Sequence, residues 1–258
     1  LASHAMGMSH VSDEPGPLGP RVEADPALGA FEIVIQLGAI LAVLGLYRRP
    51  VGHMCLGLVG RHGPGLRLFA LLSVAFLPAA VLGVLLHGPI KAYLFGPVTV
   101  AAALGVGGVL MIGVEHLWWR RRKATRPLVR SVYDVRFWQA LVIGGAQVLA
   151  MWPGTSRSMV TIVAALVVGL DMLTAAQFSF LLALPTLGGA TVYEGVQSRD
   201  ALLDAAGPAG LAVGLVVSGL VAAASVKLLV RWLTRHGLTP FGVYRILLAI
   251  AVWWYFFV

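Results

Sequence analysis

Long apolar runs separated by short polar segments dominate this chain. A helix needs about 20 mostly apolar residues to cross the hydrocarbon core of a bilayer. Five runs approach that length, at residues 30–47, 68–87, 97–118, 172–193 and 211–230, and a shorter sixth covers residues 241–258. The pattern predicts an all-α integral membrane protein, a polytopic helical bundle.

The apolar run between residues 137 and 170 is interrupted in its middle. Residues 137–152 and 159–170 are each too short to span, and Pro-Gly-Thr-Ser-Arg-Ser lies at residues 153–158. Irregular backbone at membrane depth is tolerated where it is buried in protein or lines a wet cavity. The sequence therefore predicts two half-helices that meet near the midplane as a re-entrant helix-loop-helix. The alternative is two ordinary short helices joined by a solvent loop.

The first 28 residues have a different character. They are polar, rich in proline and glycine, and too hydrophilic to span a membrane. They also lack the apolar stretch of about 7–15 residues that defines a secretory signal. We interpret residues 1–28 as an altered or vector-derived polar segment, and residues 29–258 as the membrane domain.

Composition supports a membrane protein and excludes several other classes. The chain is 59% hydrophobic and 12% charged, whereas an ordinary soluble domain carries about 25% charged residues. Most soluble proteins and a large disordered chain are excluded. The single cysteine, Cys55, excludes an intramolecular disulfide and a cysteine-based zinc site.

Positive charge is concentrated between the apolar runs. The formal net charge is +8, and the basic clusters lie at Arg48-Arg49, at residues 120–123, and at Arg231 with Arg235. Cytoplasmic loops of membrane proteins carry such an excess. We therefore expect three basic cytoplasmic loops, at residues 48–67, 120–130 and 231–235, and no nucleic-acid partner.

The interruption at residues 153–158 carries the strongest chemical signal. An always-charged arginine is costly at membrane depth, and the guanidinium of Arg157 presents planar donors that suit phosphate. Ser156, Ser158 and Thr161 flank it. If a helix starts at Ser158, its free amides favour an anion at the same place. The sequence predicts a phosphate site; the alternative is that a serine caps the helix and Arg157 reaches toward the membrane surface.

Other polar residues within or near the apolar runs are weaker candidates. Glu32 and Gln36 are one helical turn apart, and they are candidate supporting residues together with Gln147 and Thr155. Glutamines in membrane helices also serve as helix-helix contacts, and Glu32 also suits the membrane boundary. Tyr244-Arg245, near the start of the last run, is interpreted as an interfacial anchor, with a role as a ligand as the alternative.

Three separated motifs resemble one bacterial family. They are F-E-I-V-I-Q-L-G-A-I-L-A-V at residues 31–43, W-P-G-T-S-R-S at 152–158 followed by Thr161, and F-S-F-L-L-A-L-P at 178–185. In this order and spacing they resemble the undecaprenyl pyrophosphate phosphatases of the bacitracin-resistance type. The resemblance covers residues 25–258.

The resemblance implies a multi-pass enzyme of the bacterial inner membrane. Such an enzyme hydrolyses undecaprenyl pyrophosphate to undecaprenyl phosphate and phosphate, and so recycles the lipid carrier for peptidoglycan synthesis. The implied fold has inverted repeats and a site open to the periplasm. The implied partners are the polyprenyl pyrophosphate substrate and membrane lipids, with a homodimer as one possible assembly. A divalent cation, Mg²⁺ or Ca²⁺, is expected, with unknown ligands.

The family motif P-G-x-S-R-S-G-x-T places roles on particular residues. It assigns Ser156 and Arg157 to catalysis, and it assigns phosphate binding to Arg157, Ser158, Thr161 and Gly154. Met159 stands where the family usually has glycine. Ser156 is the candidate nucleophile, or else a hydroxyl that positions the attacking water.

The family's opening segment, with two glutamates and a histidine for acid-base and metal chemistry, has no clear match here. Glu32 is the nearest acidic substitute, and a serine without a base is a poor nucleophile. We therefore expect phosphate recognition with impaired turnover. The alternative function is a transporter that binds or flips polyprenyl phosphate without hydrolysis, while a purely structural scaffold leaves Arg157 unexplained.

Overall fold

The computed structural model describes residues 9–16, 19–24, 26–94, 96–123, 129–197 and 199–257. Nearly all of these residues are helical. The elements are β1 (Ser9–Gly16), β2 (Gly19–Ala24), α1 (Pro26–Leu46), α2 (Arg48–Leu58), α3 (Gly63–Tyr93), α4 (Pro97–Lys123), α5 (Phe137–Gln147), α6 (Arg157–Val167), α7 (Met172–Gln197), α8 (Arg199–His236) and α9 (Thr239–Phe257). A short 3₁₀ turn, Val148–Met151, follows α5 directly.

Five helical stretches are long and apolar enough to cross a membrane. They are Gly63–Gly83, Val98–Trp119, Met172–Gly189, Ala209–His236 and Thr239–Phe256. A sixth crossing is counted if the bent pair Ile33–Leu46 and Arg48–Leu58, which turns by 84°, is one broken span. The described residues therefore confirm a polytopic helical membrane protein.

The described strands lie within the polar segment 1–28. β1 and β2 form an antiparallel hairpin in which Ser9 pairs with Ala24 and Gly16 pairs with Gly19. This hairpin is an addition to the predicted all-α architecture. It precedes α1 directly in the chain.

Two of the predicted basic loops are wrong, because their residues are helical. Arg48 and Arg49 begin α2, and Arg231 and Arg235 lie in the last turns of α8, which ends at His236. Helix α2 is stabilised by close packing on the start of α3, where Gly57 leaves no room for a side chain against the backbone of Leu66. In the third segment, α4 extends to Lys123 and residues 124–128 lie outside the described residues.

The chain divides into two compact units. The first comprises residues 1–48 and 183–228. Within it, Gly38 of α1 lies directly against Ser218 of α8, with no space for a Cβ atom. The hydroxyl of Thr191, on α7, donates a hydrogen bond of 2.9 Å to the side-chain oxygen of Gln36. Small residues and one polar pair thus join three helices, as is typical of helix packing in lipid.

The second unit comprises residues 49–182 and 229–258 and contains the interrupted helix. Here α4 packs along α9 and α3 packs along α5, while α6 contacts both α4 and α5. Gly144 of α5 lies directly against the backbone of Ala75 in α3. The core is filled by fully buried residues that include Leu68, Ile143 and Phe178. This close packing fixes the positions of the two short helices.

The carboxylate of Glu115 accepts hydrogen bonds from the N-terminus of α9. Its Oε2 atom accepts hydrogen bonds from the backbone amides of Leu238, at 2.9 Å, and Thr239, at 2.5 Å. The hydroxyl of Thr239 donates to the same oxygen at 2.5 Å. Because the first amides of a helix have no intrahelical acceptor, the buried carboxylate of α4 supplies one from outside.

Candidate functional site

The predicted pair of short apolar helices is confirmed. Helix α5 ends at Gln147 and continues through the 3₁₀ turn to Met151. Helix α6 begins at Arg157, with Ser156 as its N-cap residue. Residues 152–158 are here called the anion loop. They comprise the segment between the two helices, residues 152–156, and the first two residues of α6, Arg157 and Ser158. No continuous helix passes through Arg157.

The backbone of the anion loop adopts two uncommon conformations. Gly154 has φ +87°, and a Cβ atom there would lie 3.0 Å from the carbonyl oxygen of Val100. Ser156 has φ 65° and ψ 110°, in the region that side-chain-bearing residues rarely adopt. Backbone strain of this kind persists only where the surrounding structure enforces it. The loop is therefore held in one shape by its neighbours.

Three hydrogen bonds hold the loop from outside and within. The indole Nε1 of Trp152 donates to the carbonyl oxygen of Thr99 at 3.1 Å. The amide of Thr155 donates to the carbonyl oxygen of Trp152 at 3.1 Å. The Nη2 atom of Arg245 donates to the carbonyl oxygen of Gly154 at 2.7 Å. The interpretation of Arg245 as an interfacial anchor is wrong, because its side chain is buried against the loop.

Arg157 occupies the first position of α6 and is partly buried. Within the part of the chain that the structure describes, its guanidinium makes no hydrogen bond or ion pair. Val160 makes the first intrahelical bond, to the carbonyl oxygen of Ser156 at 3.1 Å. The amides before Val160 therefore precede the helical ladder. A free cation and a helix N-terminus together favour an anion at this point.

The serine-capping alternative is not what the structure shows at Ser156. This residue makes no side-chain capping hydrogen bond. Its hydroxyl oxygen lies 3.4 Å from that of Ser158, and Ser156 is exposed. The hydroxyl of Ser156 therefore does not accept a hydrogen bond from an amide of α6, and both hydroxyls lie beside the start of this helix.

Thr161 is directed into the protein and is only 1% exposed. Its hydroxyl donates to the carbonyl oxygen of Arg157 at 2.9 Å, and it lies 2.6 Å from the hydroxyl of Ser179 on α7. Since one hydroxyl has one proton, Ser179 donates to Thr161 while Thr161 donates to the backbone. Thr161 thereby fixes the first turn of α6, and its predicted phosphate contact stays a prediction.

The structure places the supporting candidates differently. Thr155 lies in the anion loop, and its buried hydroxyl oxygen has no hydrogen-bond partner among the described residues. Gln147 is buried at the end of α5. Gln36 belongs to the first unit, where it accepts the hydrogen bond from Thr191. The side chain of Glu32 lies outside the described residues. The roles of all four in binding stay predictions.

The described side chains do not fit a divalent cation. Mg²⁺ and Ca²⁺ bind oxygen ligands with carboxylates prominent among them. The anion loop offers hydroxyls and a guanidinium, and within the described ranges no group of three histidine, cysteine, aspartate or glutamate residues is placed to hold a metal. These residues are suited to an anion instead.

Sequence reasoning missed Ser179 and misplaced Arg245. A signal for Arg245 was present, because a charged residue inside an apolar run marks a functional position by the same argument that singled out Arg157. Ser179 carried no such signal. Serine is common in membrane helices, and only the packing of α6 on α7 shows which hydroxyl it meets.

The fold and the site define a class: a polytopic helical membrane protein with a cationic loop between two short apolar helices. Residues 14–251 match the family described as Bacitracin resistance protein BacA. The match covers most of the chain, and this chain belongs to that family.

Curated relatives support the same assignment. The chain is 52% identical to the undecaprenyl-diphosphatase of Sorangium cellulosum (strain So ce56), over 92% of this chain and 76% of the relative. It is 43% identical to the undecaprenyl-diphosphatase of Aromatoleum aromaticum, over 88% of this chain and 80% of the relative. It is also 43% identical to undecaprenyl-diphosphatase 1 of Pseudomonas fluorescens (strain Pf0-1), over 86% and 78%.

Proposed function

We propose that this protein hydrolyses undecaprenyl diphosphate to undecaprenyl phosphate and phosphate in the bacterial inner membrane. Membership of the family and the names of its relatives support this activity. The observation that carries the proposal is the guanidinium of Arg157 at the start of α6, which has no partner among the residues that the structure describes. This activity would recycle the lipid carrier for peptidoglycan synthesis.

Arg157 suits a lipid diphosphate for electrostatic reasons. A guanidinium removed from bulk water needs an anionic partner, and phosphate matches its planar donors with two parallel hydrogen bonds. The preceding amides of α6 add donors that point in the same direction. The polyprenyl chain is accommodated by the apolar surroundings of a membrane helix, so the headgroup and the tail both find suitable surfaces.

The reaction breaks the bond between the terminal phosphorus and the bridging oxygen. In one route, a water that Ser156 positions attacks the terminal phosphorus, so that phosphate and undecaprenyl phosphate form in one step. In the other route, the Ser156 hydroxyl attacks and a water then hydrolyses the resulting phosphoserine. In both routes undecaprenyl phosphate leaves with the bridging oxygen, and the proton of the attacking group passes to solvent. Arg157 stabilises the negative charge that develops on the phosphoryl oxygens. Ser158 would hydrogen-bond the same group, a role supported by the 3.4 Å distance between its hydroxyl oxygen and that of Ser156.

The proton acceptor is a role that the described side chains of the loop do not fill. A hydroxyl without a neighbouring base is a weak nucleophile at neutral pH. This supports the alternative function, in which the loop binds or flips polyprenyl phosphate without hydrolysis. The divalent cation and the homodimer stay predictions, and no chemical step here depends on either.

Replacing Arg157 tests the proposal. Phosphate release from undecaprenyl diphosphate in detergent micelles should fall by about 10²–10³ in Arg157→Ala, and Arg157→Lys should give an intermediate loss because it keeps the charge without the planar donors. Arg235→Ala is the matched control, since Arg235 is exposed in the last turn of α8 and should leave the rate unchanged.

Binding separates the two functions. Affinity is measured with a polyprenyl methylenediphosphonate, which cannot be hydrolysed. Loss of hydrolysis with retained binding in Arg157→Ala supports catalysis. A wild-type protein that binds the lipid and releases no phosphate supports the transporter. If Arg157→Ala changes neither binding nor hydrolysis, the proposed site is wrong.

A further inference from the structure

Arg245 connects three segments of the second unit through a single nitrogen atom. It lies on α9, and its Nη2 donates to the carbonyl oxygen of Gly154 in the anion loop at 2.7 Å. The same Nη2 donates to the carbonyl oxygen of Ala103 on α4 at 3.2 Å. Because Nη2 carries two protons, both are used. The guanidinium therefore ties the loop to two long helices.

Packing alone does not account for a charged residue at this place. Arg245 is 9% exposed. Within the described part of the chain, its Nε atom is buried without a hydrogen-bond partner, and no carboxylate pairs with the guanidinium. A buried charge without an ionic partner costs desolvation free energy that an apolar side chain of similar volume avoids. What arginine provides here, and an apolar residue cannot, is the hydrogen bond to the loop.

The carbonyl that Arg245 holds belongs to Gly154, one of two residues in the loop with a positive φ. Gly154 has φ +87°, and the next residue, Thr155, donates its amide to Trp152 across the turn. The orientation of this carbonyl fixes the peptide plane between Gly154 and Thr155, one residue before Ser156. We propose that Arg245 is a positioning residue, which sets the orientation of the loop that carries Ser156 and Arg157. The expected effect of Arg245 on kcat rests on the proposed function, whereas its expected effect on the conformation of the loop does not.

Backbone amide exchange tests the structural consequence. Arg245→Met keeps the unbranched, largely apolar part of the side chain and removes the guanidinium donors. Exchange of the amides of residues 154–158, measured by mass spectrometry, should become about tenfold faster. Arg245→Lys should restore part of the protection, because an ammonium group still donates to carbonyls. Glu115→Gln is the control: it weakens the other anchorage of α9, at Thr239, and should leave exchange in the loop unchanged.

A second test displaces the guanidinium of Arg245 by a mutation at another residue. A Cβ atom at Gly107 would lie 2.7 Å from Nη2 of Arg245 and 2.8 Å from Cε of Met159. Gly107→Ala should therefore displace the held guanidinium and also accelerate exchange in the loop. Gly105→Ala is the matched control on the same helix, because its Cβ atom would meet only Ala249, at 3.7 Å.

Kinetics complete the test. A positioning role predicts that Arg245→Met lowers kcat for phosphate release by about tenfold with KM changed less than twofold, as expected when transition-state interactions are lost. Unchanged exchange of the loop in both Arg245→Met and Gly107→Ala overturns the proposal. A rise in KM with unchanged kcat also overturns it, since that result means direct substrate binding. If the wild-type protein releases no phosphate while loop exchange still rises in both variants, the positioning role stands and the hydrolytic function fails.

Discussion

The hydroxyl oxygens of Thr161 and Ser179 lie 2.6 Å apart and join α6 to α7. Both residues are buried. Thr161→Val keeps the shape and removes the hydroxyl, so that Ser179 and the carbonyl of Arg157 lose a partner. We expect the free energy of unfolding to fall by about 1–3 kcal/mol, measured by chemical unfolding in detergent.

Thr161→Ser is the control for this pair, since it retains the hydroxyl. The double variant Thr161→Val with Ser179→Ala should be less destabilised than the sum of the two single variants, because the residues act through one contact. Additive losses would show that the two hydroxyls are not coupled.

Ser156 allows its backbone and its hydroxyl to be tested separately. Its φ is 65°, which glycine adopts without strain and alanine does not. Ser156→Gly should therefore be more stable than Ser156→Ala by about 1 kcal/mol. If the hydroxyl attacks phosphorus or positions water, both variants should lose phosphate release to the same extent. Activity retained in Ser156→Gly alone would show that the backbone conformation matters and the hydroxyl does not.

Gly144 and Gly145 form a matched pair on α5. A Cβ atom at Gly144 has no space against the backbone of Ala75, whereas one at Gly145 meets nothing within 4 Å. Gly144→Ala should force α5 away from α3 and lower the unfolding free energy by about 1–3 kcal/mol or more. Gly145→Ala should stabilise the helix by up to about 1 kcal/mol. Equal melting temperatures for the two variants would contradict this close packing.

Glu115→Gln tests the contribution of the hydrogen bonds between Glu115 and the N-terminus of α9. Glu115 accepts three hydrogen bonds at one carboxylate oxygen, and a neutral amide oxygen replaces these charge-assisted bonds with weaker ones. A loss of about 1–3 kcal/mol in unfolding free energy is expected. Thr239→Val, which removes only one of the three donors, should lose less. A larger loss in Thr239→Val would mean that the hydroxyl, and not the two amides, carries the contact.

Hydropathy was enough to predict the spanning helices and the interruption between α5 and α6, because lipid imposes one length and one polarity on a crossing helix. The cost of burying a charge identified Arg157 in the same way. Helix α2 was missed because Arg48-Arg49, which opens it, is also typical of a polar loop. Only its packing on α3 shows that it is helical.

Arg245 shows why the contacts between distant parts of the chain could not be predicted from the sequence. An arginine six residues after the start of α9 lies near enough to a membrane surface to be an anchor. The direction in which the Arg245 side chain points is set by packing against α4, where Gly107 leaves the space that the guanidinium fills. That pairing of two distant segments is a property of the packed structure. Glu115, buried in the same helix, was missed for the same reason.

Neighbouring helices hold the anion loop before any ligand arrives, through Trp152 on Thr99 and Arg245 on Gly154. An incoming headgroup therefore does not have to order this segment of backbone, and none of its binding free energy is consumed in lost chain entropy.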